Sequence, residues 1–325
     1  MQTKDRTNQN NTSSPVVKFI TIEPDYNGQR IDNFLITFLK GVPKSRIYRI
    51  LRKGEVRINK GRVKPSYRLK TGDLLRIPPV VVSERSASKI TPHTSLIDKI
   101  EKNILYEDKY LIIINKPSGV AVHGGSGISL GIIEIVRAMR PEDKNLELAH
   151  RLDKDTSGCL IITKKRSILR QLHEHFRNNQ IEKRYIALVK GRWSGGKRLV
   201  SLPLLKNIQK SGERMVCVHP EGKTAKSVFR PLKIANKASL VEVNLLTGRT
   251  HQIRVHAAAI GHPIAGDIKY GDEDFNKFMR SLNLKRLFLH AHGLKFELSV
   301  YDHHIQVEAP YDDILHKVID KVTES

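Results

Sequence analysis

The sequence predicts an α+β protein built from two units, a small basic unit followed by a larger mixed one. The length of 325 residues is typical of two domains. Positive charge is concentrated towards the amino-terminal end, and strand-like and helix-like apolar patterns both occur along the chain.

The composition restricts the class of protein. There are 57 lysine and arginine residues against 33 acidic ones, a formal net charge of +24, and 39% of residues are hydrophobic. Two cysteines, Cys159 and Cys217, exclude a disulfide scaffold and a zinc site built on several cysteines. Without an apolar run of roughly 18 residues or an amino-terminal secretory pattern, we expect a soluble cytoplasmic protein. The charge indicates a polyanionic partner, usually nucleic acid, and a basic enzyme without such a partner is the alternative.

Charge and turn residues divide the chain into four segments. Residues 1–15 have the polar composition of a disordered tail. Residues 16–80 contain 15 basic and 5 acidic residues, a net charge of +10, and predict a compact basic domain. Residues 81–100 are interrupted by serines and Pro92 and predict a linker. Residues 101–325 carry +12 and predict the larger domain.

Two helices are expected in the basic unit. In the first, at 30–40, apolar residues at Ile31, Phe34, Leu35 and Phe38 follow helical spacing. The second runs from Pro43 to Arg52 with a buried stripe at Ile47, Ile50 and Leu51. Short strands are expected at 55–59 and 73–79.

The second helix carries basic residues away from its apolar stripe. They are Arg46, Arg49, Arg52 and, just beyond it, Lys53. Charge on an exposed helix face is usually only solvated, but guanidinium groups held this way also suit phosphates. The run RIDNFL, PKSRIYRILRKGEVRIN and KPSYRLKTGDLLRIPP resembles the S4 domain, a small RNA-binding fold. The resemblance implies that these four residues contact RNA.

The larger unit alternates strands and helices. Strands are expected at 104–117, 159–163, 181–191, 240–246 and 286–298, and helices at 130–140 and 250–260. Thr250 is a plausible cap of the last helix. Fourteen histidines occur, but their pairs lack nearby acidic or cysteine residues at metal-binding spacing, so we expect no metal site.

The loop HRLDKDTSG (150–158) leads into the strand at 159–163. Asp153 and Asp155 favour turns, and either carboxylate could simply hold the loop. A polar loop at the mouth of a buried strand is also where enzymes place reactive groups.

Three segments, HRLDKDTSG, KRYIALVKG and LLTGRTHQIRVHAAAIGHPIAGD, resemble in order the motifs of the pseudouridine synthases that modify bacterial ribosomal and transfer RNA. The resemblance implies a catalytic domain with a mixed, mainly antiparallel sheet flanked by helices. It implies Asp153 as the nucleophile, Arg254 as its ion-pair partner and Tyr185 as the active-site tyrosine. Arg151 would fill the stack vacated by the target base, assisted by His150.

The basic segment is most similar to relatives that act on the large ribosomal subunit, which implies 23S ribosomal RNA as the partner. The reaction needs no cofactor, and we expect a monomer. A non-catalytic RNA-binding assembly factor is the alternative function. A glycosidase using Asp153 and Asp155 is less favoured. Hydrolysis needs carboxylates roughly 5–9.5 Å apart on opposite sides of the sugar, whereas these two aspartates lie in one turn.

Overall fold

A computed structural model describes residues 16–39, 41–80, 92–124, 130–208, 214–302 and 304–323. The chain forms two compact units, Met1–Lys89 and Ile90–Ser325. The predicted disordered tail at 1–15 lies outside the described residues.

The first unit packs two helices on one face of a small antiparallel sheet. Its elements are β1 (Lys18–Thr21), α1 (Ile31–Phe38), α2 (Lys44–Arg52), β2 (Arg57–Ile58), β3 (Gly61–Arg62) and β4 (Leu74–Ile77). The strands lie in the order β1–β4–β2–β3. The predicted stripe of α2 is buried in the core with Leu35 and Leu75. Alternation along the strands leaves the opposite sheet face uncovered by those residues of this unit that the structure describes.

The second unit is organised around a large mixed sheet. Its first elements are α3 (Thr94–Glu101), β5 (Ile104–Glu107), β6 (Leu111–Lys116), α4 (Ile132–Met139), β7 (Glu147–Leu148), β8 (Ser157–Thr163), α5 (Arg166–Arg177) and β9 (Glu182–Lys190). Next come β10 (Arg198–Ser201), β11 (Leu204–Ile208), β12 (Arg214–Val218), β13 (Lys226–Ile234), β14 (Ala238–Leu245) and α6 (Gln252–Ala259). The last are α7 (Glu273–Ser281), β15 (Leu289–Phe296), β16 (Ile305–Glu308) and α8 (Asp313–Thr323).

In the described residues the main sheet has the order β10–β13–β14–β9–β15–β8–β6–β5, with β16 beside β15 and β7 beside β8. The β15–β8 pair is parallel, and the other pairs are antiparallel. The predicted α+β class with a mixed, mainly antiparallel sheet is therefore confirmed. Strand β15 joins the two halves of the sheet, because β8 lies on one side of it and β9 on the other.

The predicted linker is wrong at its carboxyl-terminal end. Residues 94–101 form α3, with Ile100 fully buried and Leu96 and Ile97 packed on the same core. These three apolar residues share one helix face. The apolar pattern is short and follows several serines, so the sequence did not predict the helix. Residues 81–91 lie outside the described part of the chain.

Candidate active site and RNA-contact surface

A cleft of about 650 Å³ opens beside the ends of β8, β9 and β14. Arg151 and Asp153 line it from the loop before β8, Tyr185 from β9, and His251 and Arg254 from the start of α6. A second cavity of about 1040 Å³ shares Arg151, Asp153, His251 and Arg254. The structure therefore brings together the three residues that the sequence predicts to be catalytic.

The loop carrying Asp153 is held by a buried lysine. The carbonyl of Asp153 accepts a bond from the backbone N–H of Thr156 at 3.2 Å. Behind it, the Nζ of Lys116 donates to the carbonyls of Pro117, Val120 and Lys154 at 2.8–2.9 Å. Lys116 is 0% exposed, and burial lowers its pKa to about 7. It thereby fastens the loop after β6 to the loop bearing Asp153.

A second network anchors the start of β8. Arg286 donates to Ser157 Oγ at 2.7 Å, Ser157 donates to His290 Nδ1 at 2.8 Å, and His290 Nε2 donates to the carbonyl of Ala309. Gly158, at φ +108°, lets β15 approach closely, since an added Cβ would lie 2.3 Å from the carbonyl oxygen of Ala291. This close approach fixes where the Asp153 loop enters the sheet.

Arg254 is shared between two carboxylates. Its Nε and Nη2 donate to Asp267 at 2.7 Å each, while its Nη1 lies 4.0 Å from Asp153 Oδ2. The buried Arg254 guanidinium and backbone N–H groups hold the pKa of Asp267 below its usual range, overcoming the opposing effect of burial. Arg254 therefore reaches the cleft as an already oriented cation.

Tyr185 stands in the middle of the sheet opposite Val243 of β14. Its ring packs against two of the apolar clusters that form the core of this unit. Burial, and then the charge of Asp153, raises the pKa of Tyr185, so its hydroxyl stays protonated at neutral pH. In the part of the chain that the structure describes, that hydroxyl makes no hydrogen bond, which leaves it available to a bound molecule.

Helix α6 begins later than predicted, at Gln252. Thr250 is not its cap; His251 precedes the helix in the left-handed conformation at φ +52°. Its Nε2 lies 3.8 Å from Asp153 Oδ2, and its Nδ1 lies 2.8 Å from the hydroxyl of Tyr270. His251 is thus a second nitrogen group beside the same carboxylate oxygen.

The two residues expected to assist with the RNA base are placed differently. Arg151 is exposed at the rim of the cleft. His150 does not line the cleft: its Nε2 accepts a bond from the backbone N–H of Ile161, and its ring packs beside Phe176. Burial lowers the pKa of His150 to about 4, so it is a neutral structural acceptor. The expectation that His150 assists Arg151 is therefore not supported.

The basic residues of α2 lie as predicted relative to its buried stripe. Arg49, Arg52 and Lys53 are exposed and Arg46 is half-buried. A second basic set, which the sequence reasoning missed, crosses the open face of the small sheet. Strand register aligns in one row Phe19, Arg76, Arg57 and Arg62. The ring of Phe19 is 62% exposed, so this face combines an aromatic side chain with three guanidinium groups.

Two buried residues that support the cleft, Asp267 and Lys116, were also missed. The third motif, quoted above, ends at Asp267, but a helix and a turn separate it from Arg254 and nothing in the spacing pairs them. Lys116 follows an isoleucine run, where a buried charge is unexpected. Among the described residues no three histidine, cysteine or acidic side chains form a metal-ligand group. Within the same residues no helix is both long and apolar enough to cross a membrane.

Comparisons with known proteins agree with both units. Residues 110–259 match the family described as RNA pseudouridylate synthase, and residues 29–75 match the S4 domain. The chain is 53% identical over 304 residues to ribosomal large subunit pseudouridine synthase C of Yersinia pestis, covering 94% of this chain and 95% of that one. Its counterpart in Escherichia coli (strain K12) is 52% identical over 313 residues, with 96% and 98% covered. The solved structure of human RNA pseudouridylate synthase domain containing 4 has the same fold, with a TM-score of 0.59 and 24% identity over 70% of this chain and 95% of that one.

Proposed function

Because the chain belongs to the RNA pseudouridylate synthase family, we propose that it converts specific uridines of 23S ribosomal RNA into pseudouridine. The convergence of Asp153, Tyr185 and Arg254 on one cleft is the observation that carries the proposal. The similarity to type C synthases of the large ribosomal subunit supports the choice of RNA.

The isomerisation breaks the N1–C1′ bond of uridine, turns the uracil and forms a C5–C1′ bond. The proton on C5 leaves, and N1 gains one, so no atom is added and no electron donor is used. Asp153 acts as the nucleophile, at the sugar carbon or at the base. Arg254 stabilises its carboxylate from 4.0 Å. Tyr185 lies against the base, and its hydroxyl relays the C5 proton by taking it up while giving its own proton to water in the cleft.

The target uridine has to leave its stack to enter the cleft, at a cost of a few kcal/mol. Arg151, exposed at the rim, fills the vacated position with its planar guanidinium. Further basic residues at the same cavities, Lys154, Arg249 and Lys269, attract the phosphates around the flipped nucleotide.

The S4 domain captures RNA through two basic surfaces. One is the face of α2 with Arg46, Arg49, Arg52 and Lys53; the other is the sheet row of Phe19, Arg76, Arg57 and Arg62. An exposed ring beside cations is the combination that binds single-stranded RNA by stacking and charge. The enzyme works as a cytoplasmic monomer without a cofactor.

Tritium release tests the reaction. Transcripts of 23S rRNA labelled with [5-³H]uridine should lose tritium to water with the intact protein, whereas Asp153→Asn should release none and still bind the RNA. A transcript of the small-subunit RNA is the control for substrate choice. If Asp153→Asn released tritium as fast as the intact protein, Asp153 could not be the nucleophile. Pseudouridine mapping in ribosomal RNA from cells with and without the gene then identifies the sites.

A further inference from the structure

Tyr270 lies between the two groups that flank the carboxylate of Asp153. Its hydroxyl is 2.8 Å from His251 Nδ1, and the guanidinium carbon of Arg254 is 5.0 Å from the centre of its ring. The backbone N–H of Tyr270 donates to Asp267, the carboxylate that orients Arg254. One tyrosine therefore contacts both nitrogen groups that approach the carboxylate.

The groups around Tyr270 favour one direction for its hydrogen bond with His251. The backbone N–H of Val216, in β12, donates to the Tyr270 oxygen at 3.0 Å. The Asp153 carboxylate opposite His251 Nε2 can only accept, and the Tyr270 oxygen already accepts from Val216. The arrangement that matches both is a Tyr270 hydroxyl that keeps its proton, since burial raises its pKa, and donates it to His251 Nδ1. Burial also lowers the pKa of His251, although the charge of Asp153 opposes this effect. The other charged groups that face His251 are Arg254, Lys269 and Asp267. A neutral imidazole that accepts at Nδ1 carries its proton on Nε2.

The proton on Nε2 faces the carboxylate. His251 Nε2 and Arg254 Nη1 are 3.8 and 4.0 Å from the same oxygen, Oδ2 of Asp153. These two contacts are longer than hydrogen bonds, and catalytic hydrogen bonds are often long in a free enzyme and shorten when substrate closes the site. With Oδ2 held on this side, Oδ1 is the oxygen left to attack.

The backbone supports the same interpretation. His251 occupies the left-handed region, which costs a side-chain-bearing residue energy and persists only where the surroundings impose it. Its side chain makes no hydrogen bond that caps α6. The side chain is turned instead into the cleft that holds Asp153.

We infer that His251 is a positioning residue for the nucleophile: Tyr270 fixes the imidazole with its proton on Nε2, and that proton holds Asp153 Oδ2 so that Oδ1 attacks. The inference rests on the proposed role of Asp153. The bond from Val216 also links this group to the β11–β12 hairpin, so the hairpin and the nucleophile share one chain of contacts.

Kinetics and NMR together test the inference. With a 23S rRNA fragment in single-turnover conditions, Tyr270→Phe should slow the chemical step about 10-fold, the effect of losing a hydrogen bond between neutral groups. His251→Leu should slow it about 10- to 100-fold, the effect of losing a hydrogen bond to a charged group. RNA affinity should stay near that of the unaltered protein. His251→Gln, which keeps an N–H donor, should recover part of the rate. Unchanged rates in both Tyr270→Phe and His251→Leu would overturn the inference.

The ¹⁵N chemical shifts of the histidine rings report the tautomer without reference to activity. His251, assigned by comparison with His251→Gln, should show its proton on Nε2, and Tyr270→Phe should mix the two tautomers. His262 is an internal reference for the opposite tautomer, because its Nδ1 donates to the carbonyl of Lys190 at 2.8 Å. A proton on Nδ1 of His251 in the unaltered protein would overturn the inference. If the unaltered protein releases tritium from the RNA while either test fails, the proposed function stands and only this inference is overturned. If it releases none, the proposed function itself fails.

Discussion

Arg254 is bound more tightly to Asp267 than to Asp153. Two hydrogen bonds of 2.7 Å join its guanidinium to Asp267, whereas its remaining nitrogen stands 4.0 Å from the proposed nucleophile. Asp267 is 1% exposed and Arg254 6% exposed. The buried pair therefore fixes the cation first, and the oriented cation then acts on Asp153.

Asp267→Asn should impair both stability and catalysis. The substitution leaves Arg254 buried without its counter-charge, which typically costs about 3–5 kcal/mol of unfolding free energy. The guanidinium also loses the two bonds that orient it, so the charge that acts on Asp153 is misplaced. We expect a lower midpoint in urea and a slower single turnover. Asp274→Asn, on the exposed face of α7, is the matched control and should change neither. Unaltered stability of Asp267→Asn would show that the pair is not a structural anchor.

Tyr185→Phe should keep the fold and the stacking surface but slow turnover. The ring packs in the core while the hydroxyl makes no hydrogen bond among the described residues, so its removal leaves no buried partner unsatisfied. General acid–base groups contribute about 10²–10⁴-fold, and a loss at the lower end of that range is expected. Thermal unfolding checks the fold and tritium release checks the rate. Full activity would show that the hydroxyl is dispensable.

The two basic surfaces of the S4 domain should contribute separately to RNA affinity. Replacing Arg46, Arg49 and Arg52 by alanine, or Arg57, Arg62 and Arg76 by alanine, should each flatten the dependence of log affinity on log salt by about 2, at roughly 0.7 per phosphate contact with single strands. Phe19→Ala is the matched variant: it should weaken binding at every salt concentration by about 1–3 kcal/mol without changing the slope. If a triple variant kept the slope of log affinity against log salt concentration, the surface that it alters would not contact RNA.

His290 should make the protein less stable in mild acid. Burial lowers its pKa to about 4, while in the unfolded chain it titrates near 6.5. The unfolded state therefore binds more protons between those two values, and the unfolding free energy falls by about 3 kcal/mol as pH drops from 6.5 to 4. His290→Asn should be less stable at neutral pH but lose less on acidification. His304→Gln, at an exposed histidine, should follow the unaltered protein. If His290→Asn lost as much unfolding free energy on acidification as the unaltered protein, groups other than His290 would be responsible for the loss.

Sequence patterns located the elements of the site better than its contacts. Apolar runs predicted the strands β8, β9 and β14, because most of their residues are buried. The helix expected at 250–260 corresponds to α6. The bond between Arg254 and Asp267 depends on how a turn folds back after α6, which no local pattern encodes. The same limit applies to His150, whose position beside Arg151 in sequence suggested a shared role although the two side chains have different environments.

Buried polar residues were the least predictable. Lys116 reads as the end of a strand, yet its three donors meet three carbonyls from two loops. The sheet row of Phe19, Arg76, Arg57 and Arg62 depended on strand register, which the sequence of such short strands leaves open.

The position of β15 has a consequence for the timing of activity. Asp153 precedes β8 and Tyr185 belongs to β9, and among the strands that the structure describes these two are joined through residues 289–296 of β15. During synthesis all three proposed catalytic residues leave the ribosome before the strand that holds them together. A partly made chain therefore carries the reactive groups without the site, and the enzyme becomes competent to modify ribosomal RNA only after residues 289–296 have also been made.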